Sequence, residues 1–158
     1  MNLYLMRHGI ALTRDDPSVA HDAERPLTGK GVKRMRKAAK GLRELAIRFD
    51  SILTSPLSRA RQTADIVAST LGMEAQLEEI SGLAPESTVE HLMFGLTRYQ
   101  DRQHVLLVGH EPLLSNTAAI CWAGGNPLIL FLNSKKAASA ALKSTRSQLP
   151  HPVNFIGF

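Results

Sequence analysis

The chain has 158 residues, of which 44% are hydrophobic and 21% charged, a balance that is typical of a globular domain and excludes a disordered protein. Nineteen Lys and Arg against fourteen Asp and Glu give a formal net charge of +5, which favours an anionic partner. The single cysteine, Cys121, excludes a disulfide framework, and its apolar setting, AAICWAG, predicts that it is buried.

No run of apolar residues is long enough to cross a bilayer. The apolar run before Arg7 is too short for a signal peptide and lacks a basic leader. We therefore expect a cytoplasmic protein that has no membrane partner. Because no linker, low-complexity tract or repeat divides the sequence, we expect a single domain over residues 1–158.

The first third of the chain predicts a strand, a long loop and a helix. Residues 3–6 are all apolar, which indicates a strand that is buried on both faces. Residues 10–27 are polar and contain proline turns, so they predict a loop. A helix follows the N-cap candidate Thr28, with apolar and basic residues on different faces. Its apolar positions are Val32, Met35, Ala39, Leu42 and Leu45, and its basic positions include Lys30, Lys33, Arg34, Lys37 and Lys40.

The middle of the chain repeats the order of strand and helix. Ile52 and Leu53 predict a strand, and Ser55 is the expected N-cap of a helix with Pro56 in its first turn. That helix is expected to stop at Gly72. The further expected elements are a weaker strand over 75–77, a helix over 87–98, a strand over 105–108, a helix over 112–119 and short strands within LILFL, ASAAL and VNFIGF.

Strands that alternate with helices predict an α/β fold of three layers (αβα), with a mostly parallel central sheet and an antiparallel edge formed by the last strands. In such a sheet, ligands bind beyond the carboxyl ends of the strands. Arg7 and His8 follow the first strand, while Arg59 and His110 follow two others. Two arginines, two histidines and two helix N-termini at one rim suit a phosphoryl group.

The histidines predict chemistry as well as binding. A neutral imidazole that faces a phosphorus atom held by arginines is a competent nucleophile. A second histidine can donate a hydrogen bond to the oxygens as charge builds in the transition state. Arg61 lies on the same predicted helix as Arg59, and helical geometry alone does not separate the two.

Four segments carry a family resemblance: LYLMRHGIA, RPLTGKG, TSPLSRARQTADIV and VLLVGHEPLLS. In this order they resemble the histidine phosphatase superfamily, which has the phosphoglycerate mutase-like fold, and within it the SixA-type phosphohistidine phosphatases. The resemblance implies a metal-independent phosphatase that needs no cofactor and forms a phosphohistidine intermediate. It implies His8 as the nucleophile, Arg7 and Arg59 as clamps on the phosphoryl oxygens, His110 as a stabiliser of the transition state and Arg25 as a further arginine near the phosphate.

The general acid is ambiguous. Many members of the superfamily place a Glu after the third strand to protonate an oxygen leaving group, and LEEISGLAPEST offers Glu78, Glu79 and Glu86. Glu79 and Glu86 are the candidates, although Glu86 can equally complement the dipole of the next helix. The nitrogen of phosphohistidine leaves more readily than an alkoxide, so this ambiguity favours N–P substrates. The short segment 72–103 leaves little room for a lid, which suits a phosphorylated protein.

Several functions stay open from the sequence. The first is a phosphatase for phosphohistidine on a phosphorelay protein, such as a histidine-containing phosphotransfer domain. The second is a phosphomonoesterase for a small metabolite, a sugar phosphate or a nucleotide, with Glu79 or Glu86 as its acid. The third is a non-catalytic phosphate-binding module. Nucleic-acid binding is disfavoured because eight Phe, Trp and Tyr residues offer few stacking platforms.

The remaining polar residues are expected to be structural. The basic positions of the first helix form either a solvated face or a docking surface for an acidic protein. Trp122 is expected in the core. The histidines without motif support are His21, His91, His104 and His151.

Overall fold

Strands and helices alternate along the chain, as the sequence predicts. The structure, a computed structural model, describes residues 1–123, 129–132 and 155–156, with side chains through Cys121. The strands are β1 (Asn2–Arg7), β2 (Ser51–Thr54), β3 (Leu77–Glu79), β4 (His104–Gly109), β5 (Ile129–Leu132) and β6 (Phe155–Ile156). The helices are α1 (Gly29–Glu44), α2 (Ser58–Leu71), α3 (Val89–Leu96) and α4 (Leu113–Ala123). Within these described ranges, no helix has the length and apolar character needed to cross a membrane.

The six described strands form one sheet in the order β3-β2-β4-β1-β5-β6, and every pairing between them is parallel. The expected antiparallel edge is not found among these strands, because β6 pairs in parallel with β5. A parallel pair needs a crossover of about a dozen residues or more, and residues 133–154 between the two strands provide that length. The predicted strand within ASAAL and the predicted position of His151 lie outside the described residues, and the predicted burial of Trp122 lies outside the described side chains.

Alternating side chains of the central strands divide the core into two apolar clusters, one on each face of the sheet. Tyr4 and Met6 of β1 belong to the cluster under α1 and α2, with Met35 as a central member. Leu3 and Leu5 belong to the opposite cluster, under α3 and α4. The strand is therefore buried on both faces, as predicted, and the three layers αβα are confirmed.

The helix α1 begins where the sequence predicts. The Oγ1 of Thr28 accepts a hydrogen bond from the backbone N of Gly31 at 3.0 Å, so Thr28 is the N-cap. Leu45, expected in the core, is 51% exposed, and that expectation was wrong. The helix ends at Glu44, and the positive φ of Ala46 turns the chain out of the helical path.

The starts of α2 and β3 are among the other boundaries that differ from the expectation, and α4 continues to Ala123, beyond the predicted end at residue 119. The helix α2 begins at Ser58 with Leu57 as its N-cap, and the hydroxyl of Ser55 instead lies 2.9 Å from Nε2 of His110. The strand β3 begins at Leu77 because residues 74–76 form a 3₁₀ turn. The end of α2 at Gly72, with φ of 67°, and the burial of Cys121 are as predicted.

Candidate active site

The end of β1 places Arg7 and His8 at the carboxyl edge of the sheet. Arg7 lies opposite Gly109 of β4, and the backbone N of His8 donates to the Gly109 carbonyl at 3.1 Å. Gly9 then passes close under α1, where an added Cβ would lie 2.8 Å from Cγ of Met35. Glycine at this position lets the chain leave the strand without displacing the core.

His8 is held in one tautomer. Its Nδ1 lies 2.7 Å from the carbonyl oxygen of Gly9, and a carbonyl only accepts, so Nδ1 carries the proton and Nε2 carries the lone pair. Burial lowers the pKa of His8 to about 4, and the positive charges of Arg59 and Arg7 act in the same direction. The imidazole is therefore neutral at neutral pH, the state that a nucleophile requires.

His110, which follows β4, is the second imidazole of the site. Its ring centroid lies 4.9 Å from that of His8, and its Nε2 lies 2.9 Å from the Oγ of Ser55. Only 3% of the residue is exposed, and this burial, with the neighbouring His8, lowers the pKa of His110 to about 3. Two neutral rings thus face one pocket, and neither adds charge to it at neutral pH.

Arg59, in the first turn of α2, is 4% exposed and is held from one side by Asp22. Its Nη1 donates to the Asp22 carbonyl at 2.8 Å, and its Nη2 donates to Oδ2 at 3.1 Å. Its Nε is buried and has no partner among the described residues. A buried donor without an acceptor is unfavourable by about 1–3 kcal/mol, and a phosphoryl oxygen would satisfy it.

Asp22 also binds two further arginines, a role that the sequence pattern did not indicate. Its Oδ1 accepts from Nε and Nη2 of Arg25, each at 2.9 Å, and pairs with Nε of Arg14 at 3.1 Å. Partial burial opposes ionisation of Asp22, but the charges of Arg59 and Arg25 outweigh it and hold the pKa of Asp22 below its usual value. One carboxylate therefore orients three guanidinium groups. The signal in the sequence is the acid in HDAER, within a loop that also contains Arg14 and Arg25.

The two histidines and the arginines described above, but not Asp22, line a cavity of about 520 Å³ at the carboxyl edge of the sheet. Its cationic lining explains why the sequence pattern points to an anion, since arginines bind two phosphoryl oxygens at once. Among its described lining residues Glu111 is the single carboxylate. The lining includes His8, His110 and five arginines, Arg7, Arg14, Arg25, Arg34 and Arg59.

The structure separates Arg59 from Arg61. Arg61 lies outside the cavity lining and is neutralised by Asp65 at 2.9 Å and by Glu79 at 2.7 Å. Glu79 is therefore engaged on the outer surface, and Glu86 is exposed in the loop before α3. The structure brings neither of these two candidate acids into the lining of the cavity.

Glu111 is a second residue that the sequence analysis missed, although it stands within the GHEP segment that was singled out. Its Oε2 accepts from the backbone N of Ser115 at 3.2 Å and from the Ser115 hydroxyl. The carboxylate thereby caps the first turn of α4 while it lines the cavity. His21 and His91 are exposed and do not line the cavity.

Comparison with known proteins identifies relatives of this fold and cavity. The family model described as histidine phosphatase superfamily (branch 1) matches residues 3–83. An uncharacterised protein of Picosynechococcus sp. is 40% identical over 152 residues, which cover 94% of this chain and 88% of the relative. The phosphohistidine phosphatase SixA of Escherichia coli K12 is 30% identical over 130 residues, 80% of this chain and 78% of SixA.

A solved structure extends the similarity to three dimensions. The protein histidine phosphatase SixA complexed with tungstate superposes with a TM-score of 0.68 at 30% identity, over 75% of each chain. The ligand in that structure is a tetrahedral oxyanion. The cavity of the present chain is lined by the cations that such an anion needs.

Proposed function

The chain belongs to the histidine phosphatase superfamily (branch 1), and from this membership we propose that it is a metal-independent phosphohistidine phosphatase acting on a phosphorylated protein. Membership supports a phosphatase with the phosphoglycerate mutase-like fold. The observation that carries the proposal is the neutral His8, with Nδ1 bound to a carbonyl, inside a cavity lined by arginines.

In the proposed first step, arginines bind the phosphoryl group and orient it towards His8. A phosphoryl group carries about −1.5 to −2 charges at neutral pH, so Arg7, Arg25 and Arg59 bind its oxygens as charge-assisted donors. In this proposal the buried Nε of Arg59, which has no acceptor among the described residues, donates to one of these oxygens. The contacts of Asp22 fix the opposite edge of the Arg59 guanidinium, which keeps this donor in place.

The phosphoryl group then moves to His8. The lone pair of Nε2 forms the new N–P bond while the bond to the leaving nitrogen breaks, and that nitrogen keeps the electron pair and takes a proton from water. The Gly9 carbonyl accepts from Nδ1 throughout and stabilises the charge on the phosphorylated ring. A proton on the free nitrogen of His110 donates to the phosphoryl oxygens. Water then attacks phosphorus, releases inorganic phosphate and restores His8.

The choice of a nitrogen leaving group rests on how the described candidate acids are engaged. Glu79 is bound to Arg61, Glu86 is exposed, and Glu111 accepts from the Ser115 hydroxyl. A nitrogen leaving group needs less proton transfer than an alkoxide, so this arrangement supports an N–P substrate. Between α2 and β4 the chain forms only β3, α3 and short turns, which supports access for a side chain on a protein.

A second candidate function is a phosphomonoesterase for small metabolites, because Glu111 lines the cavity and has the chemistry of a general acid. The two candidates differ in what Glu111 does. An ester substrate would need the proton of Glu111 in its transition state, whereas a phosphohistidine substrate would not.

The test compares substrates and variants under excess chelator. We expect the chain to release phosphate from a phosphorylated histidine-containing phosphotransfer domain faster than from a panel of sugar phosphates and nucleotides. His8→Ala should abolish turnover and the acid-labile phosphorylated enzyme, and His91→Ala is the matched control because His91 is exposed outside the cavity. Loss of activity with chelator contradicts metal independence.

Two other outcomes decide between the candidates. Faster turnover of a sugar phosphate, lost selectively in Glu111→Gln, would replace the phosphohistidine assignment by the phosphomonoesterase. Full activity of His8→Ala on every substrate would remove the covalent mechanism from both.

A further inference from the structure

The helix α1 concentrates the positive charge of the chain. It carries seven Lys and Arg and a single acid, Glu44, so the helix alone exceeds the net charge of +5 of the whole chain. All seven cationic side chains are exposed. They form what is here called the α1 basic face: Lys30, Lys33, Arg34, Arg36, Lys37, Lys40 and Arg43.

The α1 basic face is not arranged for stability. Like charges recur four positions apart, at Lys30 and Arg34, at Lys33 and Lys37, and at Arg36 and Lys40. Such pairs destabilise a helix by about 0.2–0.5 kcal/mol each, whereas opposite charges would stabilise it by a similar amount.

The cations of this face are also unneutralised. Within residues 1–121, none of them pairs with an acid, whereas Arg61 on α2 pairs with two. A solvated surface usually mixes both signs of charge. The segregation of charge on α1 therefore points to an interaction with a partner of the opposite sign.

The α1 basic face is continuous with the cavity. Arg34 belongs to the face and lines the cavity together with Arg14. The first turn of α1 lies on the loop that follows His8, because the backbone N and the hydroxyl of Thr28 both donate to the carbonyl of Ile10. At 1.5 Å per residue, the face is about 20 Å long, from Lys30 to Arg43.

We propose that the α1 basic face is the docking surface for an acidic surface on the phosphoprotein substrate, next to the phosphohistidine that enters the cavity. The proposal rests on the proposed function and deepens it, since it names the charge that the substrate must present. Cations spread over 20 Å steer an acidic partner and set its orientation, while the cavity binds one phosphoryl group.

Two other anionic partners fit the face less well. A membrane-bound amphipathic helix inserts apolar side chains, but the large apolar residues of α1, Met35 and Leu42, are fully buried in the core. Single-stranded nucleic acid needs aromatic platforms for stacking, and α1 contains no aromatic residue. An acidic protein needs only exposed cations in a fixed arrangement, which the helix provides.

The test reverses two charges on the face that do not line the cavity, in Lys33→Glu/Lys37→Glu. The matched control, Arg98→Glu/Arg102→Glu, makes the same charge change in exposed residues that precede β4, at the sheet edge opposite the cavity. We expect kcat/KM on an acidic phosphorylated phosphotransfer domain to fall about 10–100-fold at low salt in the first variant and less than about threefold in the control. The loss should shrink as salt is raised, because salt screens exposed charges.

The same variants are measured with an aryl phosphate, on which both should keep kcat/KM within about threefold of the parent, since a small substrate does not contact the face. Thermal unfolding should show that Lys33→Glu/Lys37→Glu is at least as stable as the parent, because each changed position then has an opposite charge three residues away on both sides. These cations are Lys30 and Arg36 for position 33, and Arg34 and Lys40 for position 37.

The outcomes separate this inference from the proposed function. If the parent does not dephosphorylate the phosphoprotein but cleaves small esters, the proposed function fails. If the parent does so and the two double variants lose equal activity on it, the docking surface fails. Binding of anionic vesicles or DNA that the α1 variant abolishes, with phosphoprotein turnover unchanged, would assign the face to those partners and overturn the proposal.

Discussion

Positive charge is held in two different ways in the cavity and on α1. In the cavity, Arg59 is 4% exposed and its guanidinium is fixed by the carboxylate and carbonyl of Asp22. On α1, seven exposed cations have no acidic partner among the described residues. A buried and oriented cation gives short, directed hydrogen bonds, whereas an exposed cation acts through a long-range field that salt screens.

This difference between oriented and solvated cations explains why a carboxylate, Asp22, lies beside a site for an anion. Without Asp22, the arginines of the cavity would repel one another and take several orientations. The carboxylate reduces the net charge of the cavity but fixes its geometry, which matters more for a reaction at one phosphorus atom. A docking surface has no such requirement, so the cations of α1 stay unpaired.

The largest expected effect is the difference in kcat between substitutions of the two arginines of α2, Arg59 and Arg61. Arg59→Lys removes the planar group that Asp22 orients, so we expect kcat on an aryl phosphate to fall about 10²–10³-fold. Arg61→Lys, whose partners lie on the surface, should change kcat by less than about twofold. Steady-state kinetics of both variants check the prediction, and an Arg59→Lys enzyme of normal activity would show that orientation in the cavity is unimportant.

The next effect tests how α1 is joined to the cavity. An added Cβ at Gly31 would lie 2.1 Å from the carbonyl oxygen of Ile10, whereas one at Gly29 meets nothing within 4 Å. We expect Gly31→Ala to lower the free energy of unfolding by about 1–3 kcal/mol, because the backbone of the loop must move. Gly29→Ala should leave it unchanged or raise it by up to about 1 kcal/mol. Equal urea midpoints for the two variants would contradict the close contact.

The parallel sheet and most of the site could be predicted because both follow from local patterns. Continuous apolar runs mark strands that are buried on both faces, and polar residues directly after them, such as His8 and His110, must lie at the edge where ligands bind. Family motifs favoured Arg59 over Arg61, and the structure gives the physical reason in the partners of each.

What could not be predicted depends on contacts between distant segments. Ser55 has the form of an N-cap, but its hydroxyl contacts His110 and the helix begins later. Asp22 binds Arg59 through its backbone carbonyl as well as its side chain, and no local pattern encodes that contact. Glu79 stands in the expected segment, yet its pairing with Arg61 depends on the packing of β3 beside α2.

The third effect concerns Asp22 itself. In Asp22→Asn the arginines lose their ionic partner, and a hydrogen bond to a charged group contributes about 1.5–3 kcal/mol, so we expect kcat on an aryl phosphate to fall about 10- to 100-fold. Inhibition by inorganic phosphate should not weaken, because the cavity gains positive charge. Asp65→Asn, which affects only the surface pair with Arg61, is the control. Unchanged kcat with tighter phosphate inhibition would mean that Asp22 competes with the substrate and does not position Arg59.

The smallest effect uses pH to test whether the two rings of the cavity are neutral. The pKa is lowered from 6.5 to about 4 for His8 and to about 3 for His110, so between these values the unfolded chain binds more protons than the folded one. The resulting stability is fully present above pH 6.5 and is lost as the pH falls towards the lowered values. Between about pH 7 and pH 5.5, we expect each ring to account for a loss of about 1 kcal/mol in the free energy of unfolding.

Chemical denaturation of His110→Gln across this range should give a shallower pH dependence than the parent, since its ring no longer titrates. His91→Gln should follow the parent, because that side chain is exposed outside the cavity. The range from about pH 7 to pH 5.5 isolates the histidines, because the pKa values of Asp22 and Asp50 are lowered below 3.8 in the folded chain. The stability that these carboxylates contribute is therefore lost only at lower pH. If His110→Gln leaves the pH dependence unchanged, the ring of His110 is already protonated in the folded state. The cavity would then contain a cationic His110 beside its arginines, and not two neutral imidazoles.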